Sequence, residues 1–84
     1  MYTLEIIRSA KKQMDDLEDE TASRIDAVIL KLAANPRPPG CKKLKAQKNT
    51  LRVRVGDYRV LYQIDESKKR VIVLGILHRR EAYR

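Results

Sequence analysis

Two alternating segments separated by a short polar turn restrict the fold of this sequence more than any other feature. Leu51, Val53 and Val55 alternate with arginines, and successive side chains of a β-strand point to opposite faces of the sheet. Gly56-Asp57 favours a tight hairpin turn, and residues 58–64 then alternate again. These residues predict an antiparallel β-hairpin with one apolar face and one largely basic face.

The segments before the hairpin predict one strand and two helices. Residues 2–7 are apolar and partly β-branched, as in a short strand, and Ser9 is a candidate N-cap for a first helix. A second helix is indicated by an apolar stripe at helical spacing, which Asn35-Pro36 ends. The stripe consists of Ala22, Ile25, Val28, Ile29, Leu32 and Ala33. The acidic stretch from Asp15 to Glu20 separates the two helices. Because this connection is short, an antiparallel helical hairpin is favoured.

The remaining segments complete the predicted architecture. Residues 36–40 contain three prolines and a glycine and predict a stiff loop. Residues 70–77 are apolar on both faces, as in a central strand. The predicted fold is therefore α+β, in the order β-α-α-β-β-β, with the helical hairpin packed on a small, mostly antiparallel four-stranded sheet. The 84 residues suffice for a single domain, residues 1–84, with one modest core.

The charge of the chain is concentrated in its second half. The formal net charge is +8; residues 1–41 carry six Lys/Arg and seven Asp/Glu, whereas residues 42–84 carry thirteen and four. An excess of positive charge in one region favours a polyanion such as nucleic acid as a partner. A charged surface that only keeps the protein solvated would give the same composition.

Several classes of site are excluded by the sequence. It has no Gly-rich phosphate loop, and Cys41, the single cysteine, has no neighbouring Cys or His at metal spacing. We therefore expect no metal and no cofactor. No apolar run reaches membrane-spanning length, and the first residues do not resemble a signal peptide, which predicts a cytoplasmic protein without a membrane partner.

The candidate functional residues are basic side chains on the predicted hairpin and polar residues in the tail. Arg52 and Arg54 share one face of a strand, and the turn brings Arg59 near Arg54, so that three guanidinium groups could hold a phosphate. The same alternation is typical of arginines that only solvate an outer face. His78 can exchange a proton near neutral pH, and Tyr83 can stack on a base or transfer a proton. Each of these two residues also fits a purely structural position.

The residues then show a resemblance to a known family. Residues 51–62 closely resemble the R-x-R-x-G-x-Y-R-x-x-Y signature of RelE/ParE toxins, and residues 78–83 resemble their closing H-R-x-x-x-Y segment. Upstream, Asn35-Pro36, Pro39-Gly40 and Lys43-Leu44 match the usual lead-in of that family. The similarity covers essentially the whole chain, and the family fold, β-α-α-β-β-β, agrees with the order predicted above.

The RelE branch of the family implies a ribosome-dependent endoribonuclease that cuts mRNA without a metal ion. The 2′-hydroxyl attacks the adjacent phosphate and gives a 2′,3′-cyclic phosphate and a 5′-hydroxyl end. This reaction needs a proton acceptor, positive charge on the developing phosphorane and a proton donor. The resemblance implies catalytic roles for basic and tail residues, namely Arg52, Arg54, Arg59, His78, Arg79 and Tyr83. Lys43, Lys45 and Arg80 are further candidates for binding the RNA.

The sequence departs from the RelE pattern at its basic pair, which is often lysine in that branch and is Arg52 and Arg54 here. Arginine stays protonated, so it binds phosphate well but is a poor acid or base. Proton transfer would then fall to His78 or Tyr83. Asp57 and Glu81 are weaker candidates, because carboxylates among arginines are expected to remain ionised.

The resemblance also implies partners. We expect a RelB-like antitoxin whose acidic or amphipathic segment folds on the basic face, and the ribosome with its mRNA as the target. Operator DNA would be bound only through the toxin–antitoxin complex. The alternative function is a ParE-like inhibitor of DNA gyrase, which binds its target without nuclease chemistry; an inactive or regulatory member of the family is a third possibility.

Overall fold

The computed structural model describes residues 1–44, 47 and 49–78. In these residues two helices pack on one face of a five-stranded sheet, which confirms the predicted α+β class. The elements are β1 (Thr3–Ile6), α1 (Arg8–Asp15), α2 (Asp19–Ala34), β2 (Lys42–Lys43), β3 (Thr50–Val55), β4 (Tyr58–Asp65) and β5 (Arg70–His78). The strand order is β1-β5-β4-β3-β2; β1 and β5 are parallel and the other neighbouring pairs are antiparallel.

The sheet has one strand more than the four that were predicted. The additional strand, β2, consists of two residues, Lys42 and Lys43, which pair antiparallel with Arg52 and Leu51 of β3. Two residues are too few to show an alternating pattern, and the strand exists only through its pairing with β3. Its position matters for function, because it brings the start of the basic half of the chain beside the arginines of β3.

The core lies between α2 and the sheet. The central residues of the predicted apolar stripe, Ile25, Ile29 and Leu32, are at most 1% exposed. They belong to one cluster with the alternate, inward-facing residues of the strands. On β3 and β4 these are Leu51, Val53, Val60, Tyr62 and Ile64. The intervening side chains of the same strands therefore lie on the face away from the helices, which we call the open face.

The first helix begins two residues earlier than it would if Ser9 were its N-cap. Helix α1 starts at Arg8, its N-cap residue is Ile7, and no side chain caps it. The amide of Ile7 still donates a hydrogen bond to the carbonyl of Val73, at 3.1 Å, while the carbonyl of Ile7 already accepts from Lys11 at 3.0 Å. The chain thus passes directly from strand into helix, which leaves no position for a separate capping residue.

A β-bulge interrupts the pairing between β4 and β5. Leu61 pairs with Gly75 and Tyr62 pairs with Val73, so Leu74 is an extra residue on β5. A bulge disrupts the ladder of hydrogen bonds locally, and here a helix side chain takes part. Close to the bulge, the amide of Ile76 donates to Oε1 of Gln13 in α1 at 2.8 Å. Gln13 thus fixes α1 to the irregular part of the sheet.

Replacing Gln13 with alanine is expected to lower the free energy of unfolding by about 1–3 kcal/mol, because the part-buried amide of Ile76 loses its acceptor. Urea denaturation followed by circular dichroism measures the difference. Gln13→Glu retains an acceptor oxygen and should lose less stability, and Lys11→Ala, at an exposed position of the same helix, should change it by less than about 0.5 kcal/mol. Equal stability of Gln13→Ala and Lys11→Ala would contradict this role.

Candidate anion-binding site

A basic cavity of about 140 Å³ lies on the open face at the end of the sheet near the β3–β4 turn. Its lining residues are Gly40, Lys42, Arg52, Arg54 and Arg59. The strand register accounts for this grouping, because Arg54 pairs directly with Arg59 and Arg52 pairs directly with Lys42. Directly paired residues of antiparallel strands point to the same face. The structure thus brings together the three arginines that the sequence placed on one face; we call this cavity the arginine pocket.

The hairpin turn fixes one of the three guanidinium groups. Nε of Arg54 donates a hydrogen bond to the carbonyl oxygen of Gly56 at 2.9 Å. Gly56 has a φ of 60°, a conformation that glycine adopts without steric cost and that occurs in two-residue hairpin turns. The bond from Nε holds the guanidinium beside the turn and leaves its terminal nitrogens to donate elsewhere.

Two of the arginines in the arginine pocket have no carboxylate close to them in the described part of the chain. Neither Arg52 nor Arg54 has a carboxylate within ion-pair distance among residues 1–44, 47 and 49–78. Placing like charges side by side is unfavourable, and an anion bound among them would relieve that repulsion. A guanidinium group presents paired N–H donors that match the oxygens of a phosphate. The pocket is also several times larger than the roughly 30 Å³ that one water molecule occupies in the liquid.

A proline-rich loop forms one side of the pocket and is held at two points. The hydroxyl of Tyr62, which is fully buried, donates to the carbonyl of Pro36 at 2.7 Å. Nη1 of Arg37 donates to Glu66 at 2.8 Å, and the hydroxyl of Tyr2 donates to the other carboxylate oxygen at 2.7 Å. These contacts hold the loop shortly before Gly40. Gly40 has a φ of 88° and lines the arginine pocket.

The pKa values of the groups that hold the loop reflect these contacts. Hydrogen bonds from Tyr2 and Arg37 lower the pKa of Glu66 below its usual range, and the bond to Glu66 raises the pKa of Arg37. Burial raises the pKa of the Tyr62 hydroxyl well above its ordinary value. Glu66 is therefore ionised and Tyr62 protonated at neutral pH, which are the forms that make these hydrogen bonds.

Lys43, which the sequence proposed for RNA binding, is placed differently from the arginines. Lys43 pairs with Leu51, an inward-facing residue, and so lies on the opposite face of the sheet from Arg52. Lys42, which was not proposed, lines the arginine pocket instead. The pairing with β3 decides which of the two faces the arginines, and that pairing leaves no local pattern in the sequence. Lys45, Arg79, Arg80 and Tyr83 lie outside the described residues.

We expected His78 to lie beside the arginines, but the structure places it on the other face of the sheet. His78 pairs with Tyr58, and the two rings meet edge to face with centroids 5.2 Å apart. Arg59, the neighbour of Tyr58, points to the other face of the sheet and pairs with Leu77. The bulge at Leu74 is the cause, because one extra residue reverses the face to which every later side chain points.

Other kinds of site find no support in the described residues. Within residues 1–44, 47 and 49–78, no group of three or more His, Cys, Asp or Glu side chains is placed to hold a metal ion. None of the described helices is long and apolar enough to cross a membrane. Cys41 is a half-buried free thiol in that part of the chain.

The geometry thus defines a small α+β domain with an arginine-lined pocket on the open face of its sheet, whose charge and size suit an anion. The model of the ParE toxin family of type II toxin–antitoxin systems matches residues 4–83. Since this match covers nearly the whole chain, the protein belongs to the RelE/ParE toxin family, which confirms the resemblance found in the sequence.

Individual relatives agree with this assignment. The chain is similar to the putative toxin RelE1 of Methanocaldococcus jannaschii, with 29% identity over 86 residues that cover 99% of this chain and 96% of that protein. It is also similar to the toxin RelG of Mycobacterium tuberculosis, with 27% identity over 84 residues that cover 99% of this chain and 97% of that protein. Among solved structures, a chain of the archaeal RelE–RelB complex from Pyrococcus horikoshii OT3 superposes with a TM-score of 0.83 and 25% identity, covering 93% and 94% of the two chains.

Proposed function

We propose that this toxin is a ribosome-dependent endoribonuclease that cleaves mRNA. The observation that carries the proposal is the arginine pocket, in which Arg52, Arg54 and Arg59 converge on the open face. No carboxylate of the described residues lies within ion-pair distance of the first two. Such a pocket suits a phosphodiester better than a neutral ligand, because a guanidinium binds phosphate through paired, charge-assisted hydrogen bonds. The names of the relatives, RelE1 and RelG, support the nuclease branch of the family.

The proposed reaction uses the arginines for position and charge rather than for proton transfer. The 2′-hydroxyl loses its proton to the acceptor and its oxygen forms a bond to phosphorus. The bond from phosphorus to the 5′-oxygen breaks, and the leaving 5′-oxygen takes up a proton from water. Negative charge grows on the phosphorane oxygens during this step, and fixed guanidinium groups stabilise it. Arginine cannot give up its proton near neutral pH. We assign the proton acceptor to Tyr83 and a further substrate contact to Arg79, both from the family motif. Arg80 and Lys45 are proposed as additional contacts to the RNA because of their positive charge.

His78 is expected to contribute little to the chemical step, because its ring contacts Tyr58 on the face opposite Arg59. His78→Ala should keep cleavage of ribosome-bound mRNA within about tenfold of the wild type, whereas loss of a true general acid or base costs roughly 10²–10⁴-fold. Single-turnover cleavage rates measured across a range of pH distinguish these cases. A loss of 10²-fold or more in a folded His78→Ala protein, together with loss of one limb of the pH profile, would return the proton-transfer role to His78.

The experiment that tests the proposed function is a map of mRNA 5′ ends after brief induction of the chain alone. New ends inside translated codons are expected, and they should disappear when translation initiation is blocked. ParE is the name of the matched family, so gyrase inhibition is the second candidate and is tested in the same cells. Growth arrest with double-strand DNA breaks and unchanged mRNA ends would replace the nuclease by a gyrase inhibitor.

We further propose that a RelB-like antitoxin holds the toxin inactive in the cytoplasm. The solved relative from Pyrococcus horikoshii was crystallised as a RelE–RelB complex. Arg52 and Arg54, which have no carboxylate of residues 1–44, 47 and 49–78 within ion-pair distance, suit an acidic segment that folds on binding. Binding of operator DNA would then belong to the complex through its antitoxin. The mRNA 5′ ends described above should be lost when the antitoxin is produced together with the toxin.

A further inference from the structure

A second cavity lies on the helix side of the β3–β4 hairpin, opposite the arginine pocket. Its volume is about 110 Å³. It is lined by Thr21 and Arg24 of α2 and by Val55, Gly56, Asp57 and Tyr58 of the hairpin. Thr21 and Arg24 are three residues apart and so project from the same side of the helix. We call this cavity the helix-side cavity.

Gly56, at the tip of the hairpin, has a guanidinium group on each side. On the open face, Nε of Arg54 donates to its carbonyl oxygen at 2.9 Å. On the helix side, Nη2 of Arg24 lies 3.5 Å from the position that a β-carbon on Gly56 would occupy. The tip of the hairpin therefore lies between Arg54, which lines the arginine pocket, and Arg24, which lines the helix-side cavity.

The charge of Arg24 is not neutralised by the described residues. Within residues 1–44, 47 and 49–78 no carboxylate lies within ion-pair distance of Arg24. Glu20 lies one helical turn before Arg24, a spacing that permits an ion pair, but the two side chains are not within ion-pair distance. Asp57 also lines the helix-side cavity, so a phosphate would be repelled there and favoured near Arg24 and the hydroxyl of Thr21.

We propose that Arg24 binds a second phosphate of the RNA strand, one that has passed from the arginine pocket around the hairpin tip. An aromatic residue, Tyr58, is among those that line the helix-side cavity. Single-stranded nucleic acid is commonly bound by positive charge that follows the backbone together with aromatic rings on which bases stack. This inference rests on the proposed function, because it takes RNA as the ligand, and it adds a contact on α2 that neither the motifs nor the strand pattern indicated.

Salt-dependent binding of a short single-stranded RNA tests the proposal. The probe carries 2′-O-methyl groups, so that it cannot be cut by attack of its own 2′-hydroxyls, and fluorescence anisotropy measures the dissociation constant at several salt concentrations. Arg24→Gln should weaken binding by about threefold to tenfold at low salt. It should also reduce the slope of log affinity against log salt by roughly 0.7, the value for one phosphate contact to a single strand.

Three further variants separate a phosphate contact from a change of net charge or of fold. Lys11→Gln removes the same charge from an exposed position on α1 and should leave the slope unchanged. Arg24→Lys retains the charge and should restore the wild-type slope. Glu20→Gln removes a negative charge one turn from Arg24 and should tighten binding by about twofold to threefold. Opposite shifts in Glu20→Gln and Arg24→Gln are not produced by loss of structure.

The Arg52→Gln variant distinguishes failure of this inference from failure of the proposed function. If Arg52→Gln weakens binding and reduces the slope while Arg24→Gln behaves like Lys11→Gln, the second contact is wrong and the proposed function stands. If the wild type and Arg52→Gln bind the RNA equally weakly, and no codon-internal mRNA ends form in cells, RNA is not the ligand and both proposals are overturned.

Discussion

Replacing Arg59 with alanine is expected to slow cleavage of ribosome-bound mRNA by about 10²–10³-fold, the cost of losing one donor that stabilises a developing oxyanion. Arg59 pairs directly with Arg54 in the arginine pocket and is half-buried there. The planar guanidinium group loses little side-chain freedom for each hydrogen bond that it donates to a phosphate. The measurement is the single-turnover rate on purified ribosomes that carry a defined mRNA.

The controls for this prediction come from the same chain. Arg59→Lys keeps the charge but not the paired donors and should fall between the wild type and alanine. Lys68→Ala removes a positive charge from the β4–β5 turn, at the other end of the sheet from the arginine pocket, and should retain the wild-type rate. The same rate in Arg59→Ala and Lys68→Ala, with both proteins folded, would show that the arginine pocket does not hold the scissile phosphate.

The second large effect is expected at Tyr62, which is fully buried in the core and donates its hydroxyl hydrogen bond to Pro36. Tyr62→Ala should lower the free energy of unfolding by roughly 3–5 kcal/mol, as for other large aromatic residues in cores. A domain of this size is stabilised by only about 4–13 kcal/mol, so much of the protein should be unfolded at moderate temperature. Urea denaturation and thermal unfolding followed by circular dichroism measure the loss.

Tyr62→Phe separates the hydrogen bond from the packing of the ring. It should cost about 1–3 kcal/mol, because the carbonyl of Pro36, which is buried, loses its donor. Tyr58→Phe is the matched control, since Tyr58 is only half-buried and its hydroxyl makes no hydrogen bond to the described residues; its stability should change by less than about 0.5 kcal/mol. A loss as large in Tyr58→Phe as in Tyr62→Phe would contradict the importance of the bond to Pro36.

The features that could be predicted from the sequence are those with a strong local period. The stripe that contains Ile25, Ile29 and Leu32 predicted α2, and the alternation before Gly56 predicted the hairpin with Arg52 and Arg54 on one face. Both patterns arise from burial of one side of an element, so they are visible without knowledge of the partner elements. The grouping of Arg59 with these two residues followed from the two-residue turn, which fixes the register of the hairpin.

The features that could not be predicted depend on contacts between distant segments. Strand β2 is defined only by its pairing with β3, and this pairing places Lys42 rather than Lys43 in the arginine pocket. The bulge at Leu74 belongs to the fit between β4 and β5, and it turns His78 away from the arginines. Arg24 reaches the hairpin tip through the packing of α2 on the sheet. A single sequence shows no local sign of such pairings.

The central claim is that the phosphate held in the arginine pocket is attacked by the adjacent 2′-hydroxyl of the mRNA. The most direct measurement uses ribosomes with an mRNA in which one 2′-hydroxyl, at the cleavage site, is replaced by hydrogen. We predict that this mRNA is not cut at that site, and that the unmodified mRNA yields a 2′,3′-cyclic phosphate and a 5′-hydroxyl, identified by mass spectrometry of the fragments. Cleavage of the deoxy-substituted mRNA at the same rate, or fragments with a 3′-hydroxyl and a 5′-phosphate, would contradict the claim.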